Sequence, residues 1–99
     1  MRIVFSEAAK ASLREIALFI ARDNKQRARS FVRELQDSAR ELTRMPLAFP
    51  LVPRFERHGI RRRSYRGYLI FYQVEEKQIV IVDILHGARD VETLLSETP

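Results

Sequence analysis

The sequence predicts an α+β domain in the order β-α-α-β-β-β-α: an N-terminal strand, an antiparallel helical hairpin packed on one face of a four-stranded, mainly antiparallel sheet, and a short C-terminal helix. Three observations carry that prediction. Apolar residues recur twice at helical spacing between residues 7 and 44, three β-rich segments follow one another after Gly59, and the connections within each group are short enough to make consecutive elements neighbours.

Residues 2–5, "RIVF", have the β-branched and aromatic content of a short strand. Ser6 then stands where a helix N-cap belongs, because its hydroxyl can accept from a free first-turn amide, and Glu7 suits the positive end of the helix dipole. The first helix runs from Glu7 to about Arg22, with Ala9, Leu13, Ile16, Ala17 and Ile20 on one face and Lys10, Arg14 and Arg22 on others. Asp23 and Asn24 interrupt the pattern and can cap a second helix. In it Ala28, Phe31, Val32, Leu35, Ala39 and Leu42 keep the same spacing as far as Arg44. A turn this tight makes an αα-hairpin, whose joint apolar stripe requires another layer to cover it.

Pro46, Pro50 and Pro53 rule out a helix after Arg44 and leave an extended, irregular connection. "IRRRSY", "YLIFYQV" and "KQIVIVDILHG" follow, separated by Arg66-Gly67 and by Glu75-Glu76-Lys77, both short enough for hairpin turns. That is an antiparallel meander, with the first strand joining it. "ARDVETLLSETP" returns to helix-like composition, with Asp90 as a cap and Leu94 and Leu95 as its apolar anchors. In the last strand Asp83 belongs on the face away from the helices, together with Ile81 and Leu85 two residues to either side. The open face is then half apolar, as a face that meets a partner would be.

Length and composition narrow the function classes. The 99 residues suit one domain, taken as residues 1–99, without metal or disulfide staples. With no cysteine, a disulfide framework, a thiolate zinc site and a cysteine nucleophile are excluded. The apolar runs fall far short of the roughly 20 residues a membrane span requires, and Met1 leads straight into a strand, so a soluble, cytoplasmic protein is expected. Lys plus Arg number 18 against 13 Asp plus Glu, a formal charge of +5. Arginine dominates, which favours planar, bidentate contacts with carboxylates or phosphates. The expected partner is anionic: a nucleic acid, a nucleoprotein machine or an acidic protein.

The order of elements, with "LREIALFIA", "GIRRRSYRGYLIFYQV" and "ILHGARD", resembles the RelE/ParE superfamily of bacterial toxin–antitoxin toxins, and within it the ParE branch. The most specific pieces are residues 68–74 after the glycine-then-arginine strand, and residues 86–90. The resemblance implies a small basic toxin, with a role in plasmid stabilisation, neutralised by a ParD-like or other small antitoxin whose C-terminal segment wraps across sheet and helices. It implies no cofactor, metal or membrane partner.

Two chemistries occur in that superfamily. RelE-like members cut messenger RNA on the ribosome, using basic residues and usually a tyrosine on the open sheet face to activate the 2′-hydroxyl, stabilise the phosphorane and protonate the leaving oxygen. ParE-like members poison DNA gyrase. Set against the RelE pattern, Arg62 and Arg89 fall at basic positions, but the strand arginine is replaced by Leu69 and the C-terminal tyrosine by an apolar residue near Leu95. An apolar side chain can do neither job, so the resemblance implies a non-enzymatic toxin that binds gyrase and stalls it on cleaved DNA. The alternatives are a ribosome-dependent endoribonuclease using Arg62, Arg89 and His86, and an inactive member kept as an antitoxin-binding component.

The candidate residues each have a plainer reading. Arg61, Arg62 and Arg63 must alternate faces in a strand, so a solvated edge competes with a binding site. His86 at a strand end can satisfy local backbone groups, no triad or metal set assembles around it, and Arg89 and Asp90 can pair or cap. The tyrosines of these strands, Tyr65, Tyr68 and Tyr72, suit packing as well as stacking on bases. The expectations are that Arg62 and Arg63 contact the target without supporting the fold, that Arg61 and Arg66 matter less, and that Ile81, Asp83 and Leu85 meet the antitoxin.

Overall fold

In the computed structural model, which describes residues 1–87, the elements are β1 (Arg2–Phe5), α1 (Glu7–Ala21), α2 (Lys25–Arg40), two 3-10 turns (Glu41–Arg44 and Glu56–His58), β2 (Ile60–Tyr65), β3 (Tyr68–Val74) and β4 (Gln78–His86). The helix expected after Asp90 lies outside the described residues. Both caps form. The Ser6 hydroxyl accepts from the Ala9 amide at 3.0 Å and donates to the Val82 carbonyl at 2.7 Å, and the Asn24 side chain accepts from the Arg27 amide at 2.9 Å. The first cap therefore also ties the start of α1 to β4. The second helix stops four residues short of the expected Arg44 and tightens into a 3-10 turn. Pro46 disfavours helical geometry at the residue before it, so Arg44 is as far as any helix reaches.

The sheet order is β1-β4-β3-β2. β1 runs parallel to β4, with Arg2 beside Gln78 and Phe5 beside Ile81, and the other two pairings are antiparallel. Arg66 at φ 46° and Gly67 at φ 86° form the two-residue turn between β2 and β3. Two central residues at positive φ give a type I′ turn, whose twist matches that of the strands it joins.

Ile70 and Tyr72 of β3 and Ile79, Ile81 and Ile84 of β4 are buried against Leu13 and Ile16 of α1 and Phe31, Leu35 and Ala39 of α2. This corrects the expected face of β4. A register shift opposite Phe71 and Tyr72 leaves Val82 unpaired, a β-bulge that breaks the two-residue alternation. Ile81 consequently lies in the core at 0% exposure, and Asp83 turns its carboxylate to the Ser12 hydroxyl of α1 and the Ile84 amide. Neither belongs to an open apolar face. Leu85 alone of the three stays there, half-buried and opposite Leu69.

The proline-containing segment folds around the outer edge of β2. Before the edge, the Tyr72 hydroxyl donates to the Pro46 carbonyl at 2.8 Å. At the edge, Leu51 bridges to Arg61, the Val52 amide donates to the Ile60 carbonyl and the Arg62 amide to the Pro50 carbonyl. Beyond it the Gln73 side chain donates to the His58 carbonyl. Phe71, on the face away from the helices, is buried with Val52 outside the main core, so that face is covered in part by its own chain. An edge strand occupied in this way is a poor template for pairing with another chain.

Candidate functional site

The three consecutive arginines do different things. Arg61 and Arg63 share the helix-facing side of β2 with Tyr65, opposite Tyr72, Ile70 and Tyr68. The Arg61 guanidinium donates to the carbonyls of Phe49 at 2.7 Å and Leu47 at 3.3 Å. Arg63 donates to the Ser38 carbonyl at 2.8 Å, lies 3.7 Å from the Glu41 carboxylate and sits over the Phe49 ring at 5.3 Å. Both donate to backbone carbonyls, Arg63 near the end of α2 and Arg61 in the following loop, where helix-end and loop carbonyls call for such donors. The expectation that Arg63 is free to meet a target without supporting the fold is thus corrected. Arg62 points the other way, half-buried between Ser64 and the loop edge, and its side chain makes no hydrogen bond or ion pair among the described residues.

His86 closes β4 opposite Tyr68, the two rings meeting edge to face at 5.2 Å, and Tyr68 in turn packs on Phe31 at 5.4 Å. That places His86 on the helix side of the sheet, the opposite face from Arg62. The candidates among the described residues do not converge on one point. Arg89 and Asp90 lie outside the described residues, and no metal-binding group of His, Cys, Asp and Glu occurs among those described.

The β2–β3 turn is fastened to α2 by a cluster the sequence did not suggest. The Glu34 carboxylate takes hydrogen bonds from Arg27 and from the Tyr65 hydroxyl, with Arg66 at 3.9 Å, while Arg27 lies over Phe31 at 5.1 Å. The Arg27 hydrogen bond first and the Tyr65 hydroxyl second hold the Glu34 carboxyl below the usual carboxylate range, and Glu34 raises Arg27 in turn. A carboxyl lowered on folding stabilises the fold fully above its unfolded value of about 4.3, and that contribution fades as pH falls through the folded value. Glu34→Gln is therefore expected to flatten the acid limb of the stability curve below about pH 4.3, read by denaturant midpoints at several pH values. An unchanged acid limb would mean the cluster does not act as described. Burial pushes the Tyr72 hydroxyl up, which keeps it a donor to Pro46.

The outer side of the helical hairpin carries a shallow groove. Ala17, Ala21, Ala28 and Val32 form its apolar floor, and Leu18, Lys25, Arg29 and Arg33 line its rim. Leu18 is 71% exposed, beside Phe19 at 50%. Read from sequence, Ala17, Ala28 and Val32 belonged to the apolar faces of the two helices, and an open groove over them was not foreseen; the exposed Leu18-Phe19 pair within "IALFIA" was the available signal.

The architecture defines the class first: a basic α+β domain with a helical hairpin laid across one face of a four-stranded mixed sheet, with exposed apolar groups on both the hairpin and the edge loop. The chain belongs to the ParE toxin family of type II toxin–antitoxin systems, since the family profile described as ParE toxin of type II toxin-antitoxin system, parDE, matches residues 3–91. Its fold is similar to a chain of the chromosomal ParDE system of Pseudomonas aeruginosa (TM-score 0.71, 18% identity, covering 87% of this chain and 95% of that one). It is also similar to a chain of the RelBE2 toxin–antitoxin complex of Mycobacterium tuberculosis (TM-score 0.63, 19% identity, 86% and 95% covered). At such identities the likeness speaks for the fold. Comparison with curated protein sequences finds no significant match. Among the described residues no helix is long and apolar enough to cross a membrane.

Proposed function

We propose that the chain is the toxin of a cytoplasmic toxin–antitoxin pair and acts by binding DNA gyrase, not by cutting RNA. The observation that carries this reading is the setting of Arg62. Beside Ser64 on its own strand, its face continues across β3 and β4 through Leu69, Phe71 and Leu85, so among the described residues Arg62, the arginine of the β2 triplet on that face, has apolar neighbours where a nuclease requires a second cation and a proton donor. Arg61 and Arg63 are committed to backbone carbonyls. The gyrase target is what the resemblance to the ParE branch implies, and the family match supports that branch.

The antitoxin on this reading presents an amphipathic helix with acidic flanks. The groove between α1 and α2 has the apolar floor and the Lys25, Arg29 and Arg33 rim that such a segment complements. It suits that role better than the half-covered sheet face, where Leu85 remains from the set first expected. The test is a parallel assay of the purified chain for inhibition of gyrase supercoiling and for messenger RNA cleavage in a translating extract. Supercoiling inhibition without cleavage is expected. Messenger RNA cleavage without an effect on gyrase would assign the chain to the RelE type.

A further inference from the structure

We propose that the loop over residues 44–57, held around the edge of β2, is the surface that docks on the target, and that it fits a folded protein presenting an apolar pocket rimmed by carboxylates. The proposal rests on the toxin reading above and deepens it. Met45, Leu47 and Leu51 are 42%, 65% and 38% exposed within seven residues of one another. Single exposed apolar residues need no explanation, but three on one short loop are a different matter when the loop is fixed. Here it is fixed: Arg61 grips the Leu47 and Phe49 carbonyls, Tyr72 the Pro46 carbonyl, and Pro50 and Val52 pair with β2. The backbone is tied to the sheet while these side chains face outward, an arrangement that spares a partner the entropy of ordering the loop.

Charge selects the partner. Arg44, Arg54 and Arg57 are all exposed on the same segment, against Glu56 alone among exposed carboxylates there. An apolar centre within a cationic rim complements an acidic rim around an apolar pocket. A nucleic acid would use the arginines and leave the leucines without a role. The loop also lies apart from the hairpin groove. Leu18 and Phe19 sit near the end of α1 that adjoins the start of α2, whereas the loop follows the far end of α2, a helix of 16 residues and so about 24 Å long. Among the described residues the hairpin groove and the edge loop are thus separate apolar patches, one for each of two partners.

The experiment compares the full chain with Leu47→Ser, Leu51→Ser, the double variant, an Arg44→Gln/Arg54→Gln/Arg57→Gln triple variant and Glu76→Ser, using purified DNA gyrase and growth arrest on expression. All replaced side chains are exposed, and thermal melts confirm that each variant folds. Each loop serine is expected to weaken gyrase inhibition about tenfold, as the loss of one buried leucine does, and the double variant to abolish growth arrest, while Glu76→Ser, on the β3–β4 turn, acts within about twofold of the parent. Loop serine variants as potent as the parent overturn the proposal. So does a loss confined to the arginine variant, which would indicate nucleic acid phosphate. If the parent arrests growth without inhibiting gyrase, the gyrase reading fails alone and the growth assay decides the loop. A parent inert in both assays overturns both.

Discussion

Replacing Ile81 with alanine is expected to lower unfolding stability by about 2–5 kcal/mol, the range for removing most of a branched aliphatic side chain from a packed interior. The side chain is fully buried, paired across the sheet with Tyr72 and next to Phe5 of β1, beneath the helical hairpin. For a domain whose whole stability falls in the range of roughly 5–15 kcal/mol, that is a large share. Urea titration of Ile81→Ala beside Leu85→Ala separates the observed packing from a regular strand. In a strand without a bulge the two residues would share a face and respond alike; with Val82 looped out, the Ile81 variant should be much the weaker. Equal midpoints for the two would remove the argument.

Arg63→Gln should be the second most damaging change, destabilising by about 1–3 kcal/mol, because it strips a charge-assisted donor from the part-buried Ser38 carbonyl. The side chain is only 17% exposed, so screening by solvent discounts its hydrogen bond less than it discounts the longer contact to Glu41, whose side chain is half exposed. Arg62→Gln, one residue away, should change stability by no more than about 0.5 kcal/mol. Thermal melts of the two proteins make the comparison, with growth arrest measured at matched amounts of folded chain. Loss of arrest in the Arg63 variant should follow its loss of fold, whereas any loss in the Arg62 variant is loss of contact. Indistinguishable melting temperatures would return Arg63 to the surface.

Much of this architecture was legible in the chain because the signals were local. Ser6 and Asn24 cap the helices they precede, the apolar spacing of residues 9–42 gives both helices their buried faces, and Arg66-Gly67 makes the turn its composition suggests. What could not be read depended on long-range geometry. "IVIVDIL" alternates well enough to hide a bulge, since a looped-out Val82 has the same composition as a paired one. The arginine triplet was expected to alternate faces, but only the course of the chain after α2 reveals that Arg61 serves the Leu47 and Phe49 carbonyls and Arg63 the Ser38 carbonyl. One clue was available: a connection with three prolines, too irregular to pair fully with itself, must find donors elsewhere, and Arg61 of the next strand supplies one. The Glu34 cluster joins residues far apart in the chain, beyond any spacing argument.

The parallel pairing of β1 with β4 has a consequence for the order in which the molecule is made. Arg2 and Gln78 hydrogen-bond across a separation of 76 positions, and β4 lies between β1 and β3 although it is the last of the described strands to be synthesised. Closing so long a loop is entropically slow, and until β4 arrives β1 has no neighbour and the helices have only the β2–β3 ribbon to cover. A nascent chain that halts before β4 thus yields no partly working product: its helical hairpin lacks Ile79, Ile81 and Ile84 to pack on, and its bare strand edges invite aggregation. Insertion of the last strand is the committing step, and a ribosome that falls short of it releases something for proteases instead of a poison.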